Sequence, residues 1–194
     1  MIALTHPMIS RADLIALCCH PLAPSVEVEA IQGKVEIVAD GSLKVFFSLH
    51  GNLDRLRIPT PQPPRHVDGL WQHTCFEVFV AVEGDMAYRE FNFSPSGQWA
   101  SYGFRDYRQR DENGPPLPTL PVTSRRVDDV LELEARIPRG ALPSARMLQV
   151  GLSAVIEEMG GKLSYWALRH PEARPDFHHR QGFALQLAQT GATV

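Results

Sequence analysis

The feature that most constrains the fold of this chain is a hydrophobic period of two. In Leu43-Lys44-Val45-Phe46-Phe47-Ser48-Leu49-His50, positions 43, 45, 47 and 49 are apolar and their alternates are mostly polar. The same alternation runs through residues 26–30 and through Leu131-Glu132-Leu133-Glu134-Ala135-Arg136-Ile137, which stops at Pro138. Successive side chains of a strand point to opposite faces, so this pattern buries one face of a sheet. Asp40-Gly41 between two such runs marks a hairpin, because glycine accepts positive φ without steric cost. Further strands are expected over 53–58, 76–82, 88–94, 98–104, 147–157, 163–169 and 183–187. Glu83-Gly84-Asp85, Pro95-Ser96-Gly97 and Gly160-Gly161 close turns between them. About ten short strands without a long helical stripe describe an all-β antiparallel β-sandwich or jelly roll. Residues 10–19 fit either a short helix capped by Ser10 or an edge strand, and periodicity leaves the two open.

Length and composition suit one domain over residues 1–194. A chain of 194 residues buries roughly 70% of its unfolded surface, enough for a core without staples. Hydrophobic residues at 44% and charged residues at 21% are those of an ordinary globular protein. A formal charge of −3 with no run of like charge gives no electrostatic footprint for nucleic acid or a membrane surface. The three cysteines, Cys18, Cys19 and Cys75, form neither a disulfide framework nor a zinc knuckle and suit a reducing compartment. The apolar run of residues 14–19 is too short for a signal-peptide core, so the expected location is cytoplasmic. Three stretches read as loops: the proline-rich 59–69, the charged 105–121, and 170–182 with its three histidines.

The chemistry concentrates in Leu70-Trp71-Gln72-His73-Thr74-Cys75-Phe76-Glu77-Val78-Phe79-Val80 and in Tyr88-Arg89-Glu90-Phe91-Asn92-Phe93-Ser94-Pro95-Ser96-Gly97-Gln98-Trp99. Period two places Tyr88, Glu90, Asn92 and Ser94 on one face of the second run. It places Glu77 beside Cys75 and Phe79 on one face of the first. A carboxylate among apolar neighbours is costly to bury unpaired. Aromatic plates flanked by carboxylate and amide groups are what sugar recognition requires: the ring stacks on the C–H face of a pyranose and planar polar groups bracket its hydroxyls. Trp71, Trp99 and Trp166 are the whole tryptophan complement. Toward the C-terminus Ser164, Trp166, Leu168 and His170 share a strand parity, so Trp166 and His170 are expected to look into the same groove. His170, Asp176 and His178 are also metal-binding types, but their spacing matches no standard zinc signature.

These segments, together with the ending Ser164-Tyr165-Trp166-Ala167-Leu168-Arg169-His170-Pro171, resemble the DOMON-like group. That group comprises relatives of family-9 carbohydrate-binding modules found as small stand-alone bacterial proteins. The resemblance runs from about Val26 to Leu187. It implies a jelly-roll sandwich with a concave sheet, and a ligand that is a sugar or, in some branches, haem. The family's ligand side carries over to Trp71, Glu77, Asn92 and Trp99, with Trp166 on a later strand; His170 is added from its strand parity. The chain departs from the pattern at His73 and Thr74, where the sugar-binding modules usually have acidic residues, which bears on sugar specificity and on calcium dependence. Haem-binding relatives use methionine and histidine ligands; here Met86 and Met159 flank turns.

The reading that follows is a non-catalytic module binding a saccharide or similar polar ligand in a groove on one sheet. Catalytic alternatives are a cysteine site in which His73 activates Cys75 with Glu77 beyond it, a metal-assisted site on residues 170–179, or a glycosidase pair Glu77 and Glu90. A protein-interaction module would use residues 59–69 or 105–110. An exposed edge strand would also support a homo-oligomer.

Overall fold

The computed structural model describes residues 13–112 and 119–189. Twelve strands are found among them: β1 (Ile15–Cys19), β2 (Val28–Ile37), β3 (Leu43–Gly51), β4 (Cys75–Ala81), β5 (Tyr88–Phe93), β6 (Trp99–Asp106), β7 (Gln109–Arg110), β8 (Val122–Val127), β9 (Val130–Ile137), β10 (Met147–Glu157), β11 (Leu163–Ala167) and β12 (Leu185–Ala188). Every pairing is antiparallel, and the order is β7-β6-β5-β4-β10-β11-β1-β2-β3-β9-β8, with β12 also on β10. The ladder splits at β1. Its residues 15–17 pair with β2, whereas Cys18 and Cys19 pair with Ala167 and Trp166 of β11. One short strand thus passes from a first sheet (β1-β2-β3-β9-β8) to a second (β7-β6-β5-β4-β10-β11).

The expected alternation forms the inner faces. Ile31, Val45, Phe47, Leu49, Leu131 and Leu133 from the first sheet meet Phe76, Val78, Phe91, Leu152 and Ile156 from the second in one buried cluster. Phe47 and Phe76 touch across it with ring centroids 5.0 Å apart. The β-sandwich expectation therefore holds, and the Asp40-Gly41 turn closes the β2–β3 hairpin with Gly41 at φ 79°.

Several local expectations change. Residues 53–58 do not form a strand. Leu53–Arg55 is a 3-10 turn, followed by an isolated bridge from Leu56 to Glu158. Leu53 and Leu56 are both buried, a spacing of three that suits a tight turn. The run expected over 26–30 extends as Val28–Ile37, and β8 lies in a polar stretch with no sequence signal because only Val122 of it is buried. Residues 15–19 are a strand, paired along its length and not an edge; Ser10 lies outside the described residues, as do 113–116 of the charged loop. Among the described residues no helix is long and apolar enough to cross a membrane.

The second sheet is buried on both faces. All seven residues of β4 are buried. Its outward residues Phe79 and Ala81 join Tyr88, Ala100, Tyr102, Phe104 and Phe183 in a second apolar cluster, with Leu70 and Phe177 against it. Two segments provide this cover: the 3-10 turn Leu70–Gln72 and the histidine-bearing stretch that carries Phe177, His178 and Phe183. Gly151 of β10 makes room for the last of these, since a Cβ there would stand 2.9 Å from the Phe183 ring. The cover leaves an opening beside Trp71, and the candidate site lies there.

Candidate functional site

Register decides which side chains share the outer face of the second sheet. Glu77 stands opposite Asn92 and Phe79 opposite Glu90, so the two carboxyls are diagonal neighbours on adjacent strands. Across β4 on its other side, Ser153 stands opposite Glu77 and its hydroxyl donates to Glu77 Oε2 at 3.3 Å. Tyr165 of β11 lies opposite Val155, on the same face. Above them opens a cavity of about 490 Å³, within the ~300–1,000 Å³ usual for small-molecule sites. Its aromatic lining is Trp71, Phe104, Tyr165 and Phe177, and its polar lining includes Glu77, Glu90, Arg108 and His178.

Trp71 sits in the 3-10 turn that Gly69 opens from the left-handed region at φ 78°. It is 47% exposed, unlike the other two tryptophans. The floor beneath it is polar and buried. Asn92 is fully buried; its Nδ2 donates to Glu90 Oε1 at 2.8 Å, and its Oδ1 has no protein partner. Burial pushes the Glu77 carboxyl well above the usual carboxylate range, and the Glu90 charge beside it acts the same way. Burial also raises Glu90 to about 7, offset in part by the Asn92 amide.

His178 closes the same floor. The Tyr88 hydroxyl accepts from the backbone N–H of Arg108 at 3.0 Å, so its own proton faces His178 Nδ1 at 2.9 Å. This places the imidazole hydrogen on Nε2, 3.7 Å from Glu90 Oε2. Burial lowers His178 to about 4, with the Arg108 charge acting in the same direction. The ring packs edge-on against Phe79 and Phe104 at centroid distances of 5.2 and 5.0 Å. Asp176 anchors the cover from outside: it accepts from Tyr107 Oη at 2.7 Å and Arg108 Nη2 at 2.8 Å, and these partners hold it below the usual carboxylate range despite partial burial.

The structure brings together some of the expected site residues and separates others. Trp71 and Glu77 line the cavity, and Asn92 stands behind Glu90. Trp99 does not join them. It pairs with Phe93 while Asn92 pairs with Ala100, so the indole enters the inter-sheet core at 5% exposure. Trp166 pairs with Ala154 and faces the same core, its Nε1 donating to Ser164 Oγ at 3.0 Å. Stacking surface for a sugar therefore falls to Trp71 alone among the tryptophans. His170 lies past the end of β11, its Nε2 donating to the Cys18 carbonyl at 2.8 Å, and it lines a different surface depression with Arg169 and Gln181. The site residues that sequence reasoning missed include Phe104, Tyr165, Phe177 and Arg108. Tyr165 had a signal, since parity sets it opposite Trp166; which of the two faces the core depends on pairing with β10.

The weaker constellations come apart in space. His73 Nδ1 meets Glu157 Oε2 at 2.8 Å and does not serve Cys75. Cys75 is fully buried, and burial together with the Glu77 charge pushes its thiol well up. His170, Asp176 and His178 each hold separate partners, and among the described residues no group of three or more His, Cys, Asp or Glu is placed to hold a metal ion. Met86 and Met159 are both exposed at turns.

No protein-family model matches this sequence, and no curated protein matches it. Solved structures of the same fold do. A Bacteroides uniformis protein proposed to bind carbohydrate is 15% identical, with a TM-score of 0.61 over 91% of this chain and 85% of its own. A family-9 carbohydrate-binding module from Caldicellulosiruptor kristjanssonii, solved with glucose, is 9% identical, with a TM-score of 0.57 over 90% of this chain and 83% of its own. The same module with cellotriose gives the same identity and score over 90% and 82%.

Proposed function

We propose that this chain is a non-catalytic module that binds a saccharide in the cavity on the outer face of the second sheet. The observation that carries the reading is one half-exposed indole, Trp71, set over a buried polar floor of Glu77, Glu90 and Asn92. A protonated carboxyl donates as well as accepts, so the floor complements neutral hydroxyls better than it does a charge. The shared fold of modules solved with glucose and cellotriose supports a neutral sugar.

Calorimetric titration with glucose and cellotriose, wild type against Trp71→Ala, tests the proposal. With 47% of Trp71 exposed, roughly 100 Å² of indole remains to be covered, about 2.5 kcal/mol at about 25 cal/mol/Å². Ordering and desolvation leave about 1–2 kcal/mol, or roughly tenfold in Kd. The melting temperature should hardly move, because Trp71 belongs to neither buried cluster. Equal sugar affinity in the variant, or none in the wild type, would reject the reading.

A further inference from the structure

A second cavity, of about 570 Å³, opens at the β5–β6 side of the second sheet. Arg89, Trp99, Ser101 and Gly103 line it from a single sheet face, since Arg89 stands opposite Gly103, Ser101 opposite Phe91 and Trp99 opposite Phe93. These four residues stand on the inner face, while Phe104 and Arg110 line both this cavity and the Trp71 cavity.

Three of its polar groups lack partners. Trp99 Nε1 and Ser101 Oγ are buried without a hydrogen bond, and Trp99 as a whole is 5% exposed. The Arg89 guanidinium makes no ion pair or hydrogen bond among the described residues. Leaving the two buried groups, Trp99 Nε1 and Ser101 Oγ, unmet in a folded protein costs on the order of 1–3 kcal/mol each, and native structures rarely do so without reason. Indole and guanidinium nitrogens only donate, so whatever completes them accepts. Opposite Arg89 the ladder carries no side chain: a Cβ on Gly103 would meet nothing closer than the Asp111 Cβ at 3.7 Å, so the guanidinium stands uncovered.

The remaining wall fixes the charge. Asp85 and Asp111 also line the cavity, with Arg110 as the only other full cation; Arg110 is engaged over the Tyr102 ring at 3.9 Å and with Asp68 at 3.6 Å. Asp85 accepts from Ala87 N at 3.0 Å, and His66 lies edge-on to Trp99 at 5.2 Å. A single planar carboxylate matches the guanidinium fork. Val82, Phe104 and Pro143 supply apolar wall for the rest of the molecule. We propose that this cavity binds a small monocarboxylate with an apolar body, its carboxylate held by Arg89, the Trp99 indole N–H and the Ser101 hydroxyl.

The test follows indole N–H resonances of ¹⁵N-labelled protein during titration with benzoate, acetate and inorganic phosphate, Trp99 being assigned with Trp99→Phe. Benzoate should shift the Trp99 indole saturably and acetate more weakly. Arg89→Gln, checked for an unchanged backbone spectrum, should weaken benzoate by about tenfold or more, as expected for loss of a charge-assisted hydrogen bond. Gly103→Val should weaken it by filling the space opposite Arg89. A Trp99 resonance unmoved by benzoate, an equal response in Arg89→Gln, or phosphate acting as strongly as benzoate would each overturn the proposal.

Discussion

Replacing Glu90 with Gln removes a buried titrating group while keeping its size and the oxygen that accepts from Asn92 Nδ2 at 2.8 Å. Glu90 is 4% exposed, and burial raises its carboxyl from 4.5 to about 7. A carboxyl raised in the folded state keeps its proton after the unfolded chain has lost it, so stability falls as pH rises from about 4.5 to about 7. At about 1.4 kcal/mol per pH unit this displacement amounts to about 3 kcal/mol at most. His178 acts in the opposite sense: its folded value drops from 6.5 to about 4, so its contribution is lost as pH falls through that interval. The two slopes offset each other in mildly acid solution, and the wild-type curve alone tests little. The difference between Glu90→Gln and wild type reports the Glu90 charge together with its effect on Glu77, which acts in the same direction. Urea denaturation should find the two equal near pH 4 and the variant more stable by about 2–3 kcal/mol near pH 8, or roughly 4–12 °C in Tm for a chain of this size. A variant no more stable than wild type at the higher pH would refute the claim that burial at Glu90 outweighs the Asn92 amide and the Arg108 and Arg110 charges.

Two further outcomes follow from packing. Under native conditions iodoacetamide should label the exposed Cys18 and leave Cys75 untouched until the chain is unfolded, as mass spectrometry of digests would show; native labelling of Cys75 would revive a cysteine-based site. Gly51→Ala should destabilise by about 1–3 kcal/mol or more, because a Cβ there would lie 2.2 Å from the Glu27 carbonyl oxygen, and chemical denaturation reads the loss directly.

The sandwich was legible because its strands alternate, and the polar face of β5 was legible for the same reason. Parity within one strand placed Tyr88, Glu90 and Asn92 together, as observed. Parity between strands was not legible. Turn length sets whether Ala100 or Trp99 falls beside Asn92, and a one-residue difference sends an indole to the other face. Trp166 and Tyr165 were exchanged by the same mechanism, because their facing depends on register with β10. The covering segment was hidden for another reason. A loop with three histidines looks solvated, yet Phe177, His178 and Phe183 pack onto β4, β5 and β6 through contacts remote in sequence.

The central claim is that a saccharide occupies the outer face of the second sheet, and the three tryptophans make the most direct reporters. In a ¹⁵N titration with cellotriose, the account predicts a saturable shift of the Trp71 indole and of amides in β4, β5 and β11. The Trp99 and Trp166 indoles, buried in the inter-sheet core, should stay still. Saturable shifts confined to Trp99, Trp166 or the surface around His170, with Trp71 unmoved, would contradict it.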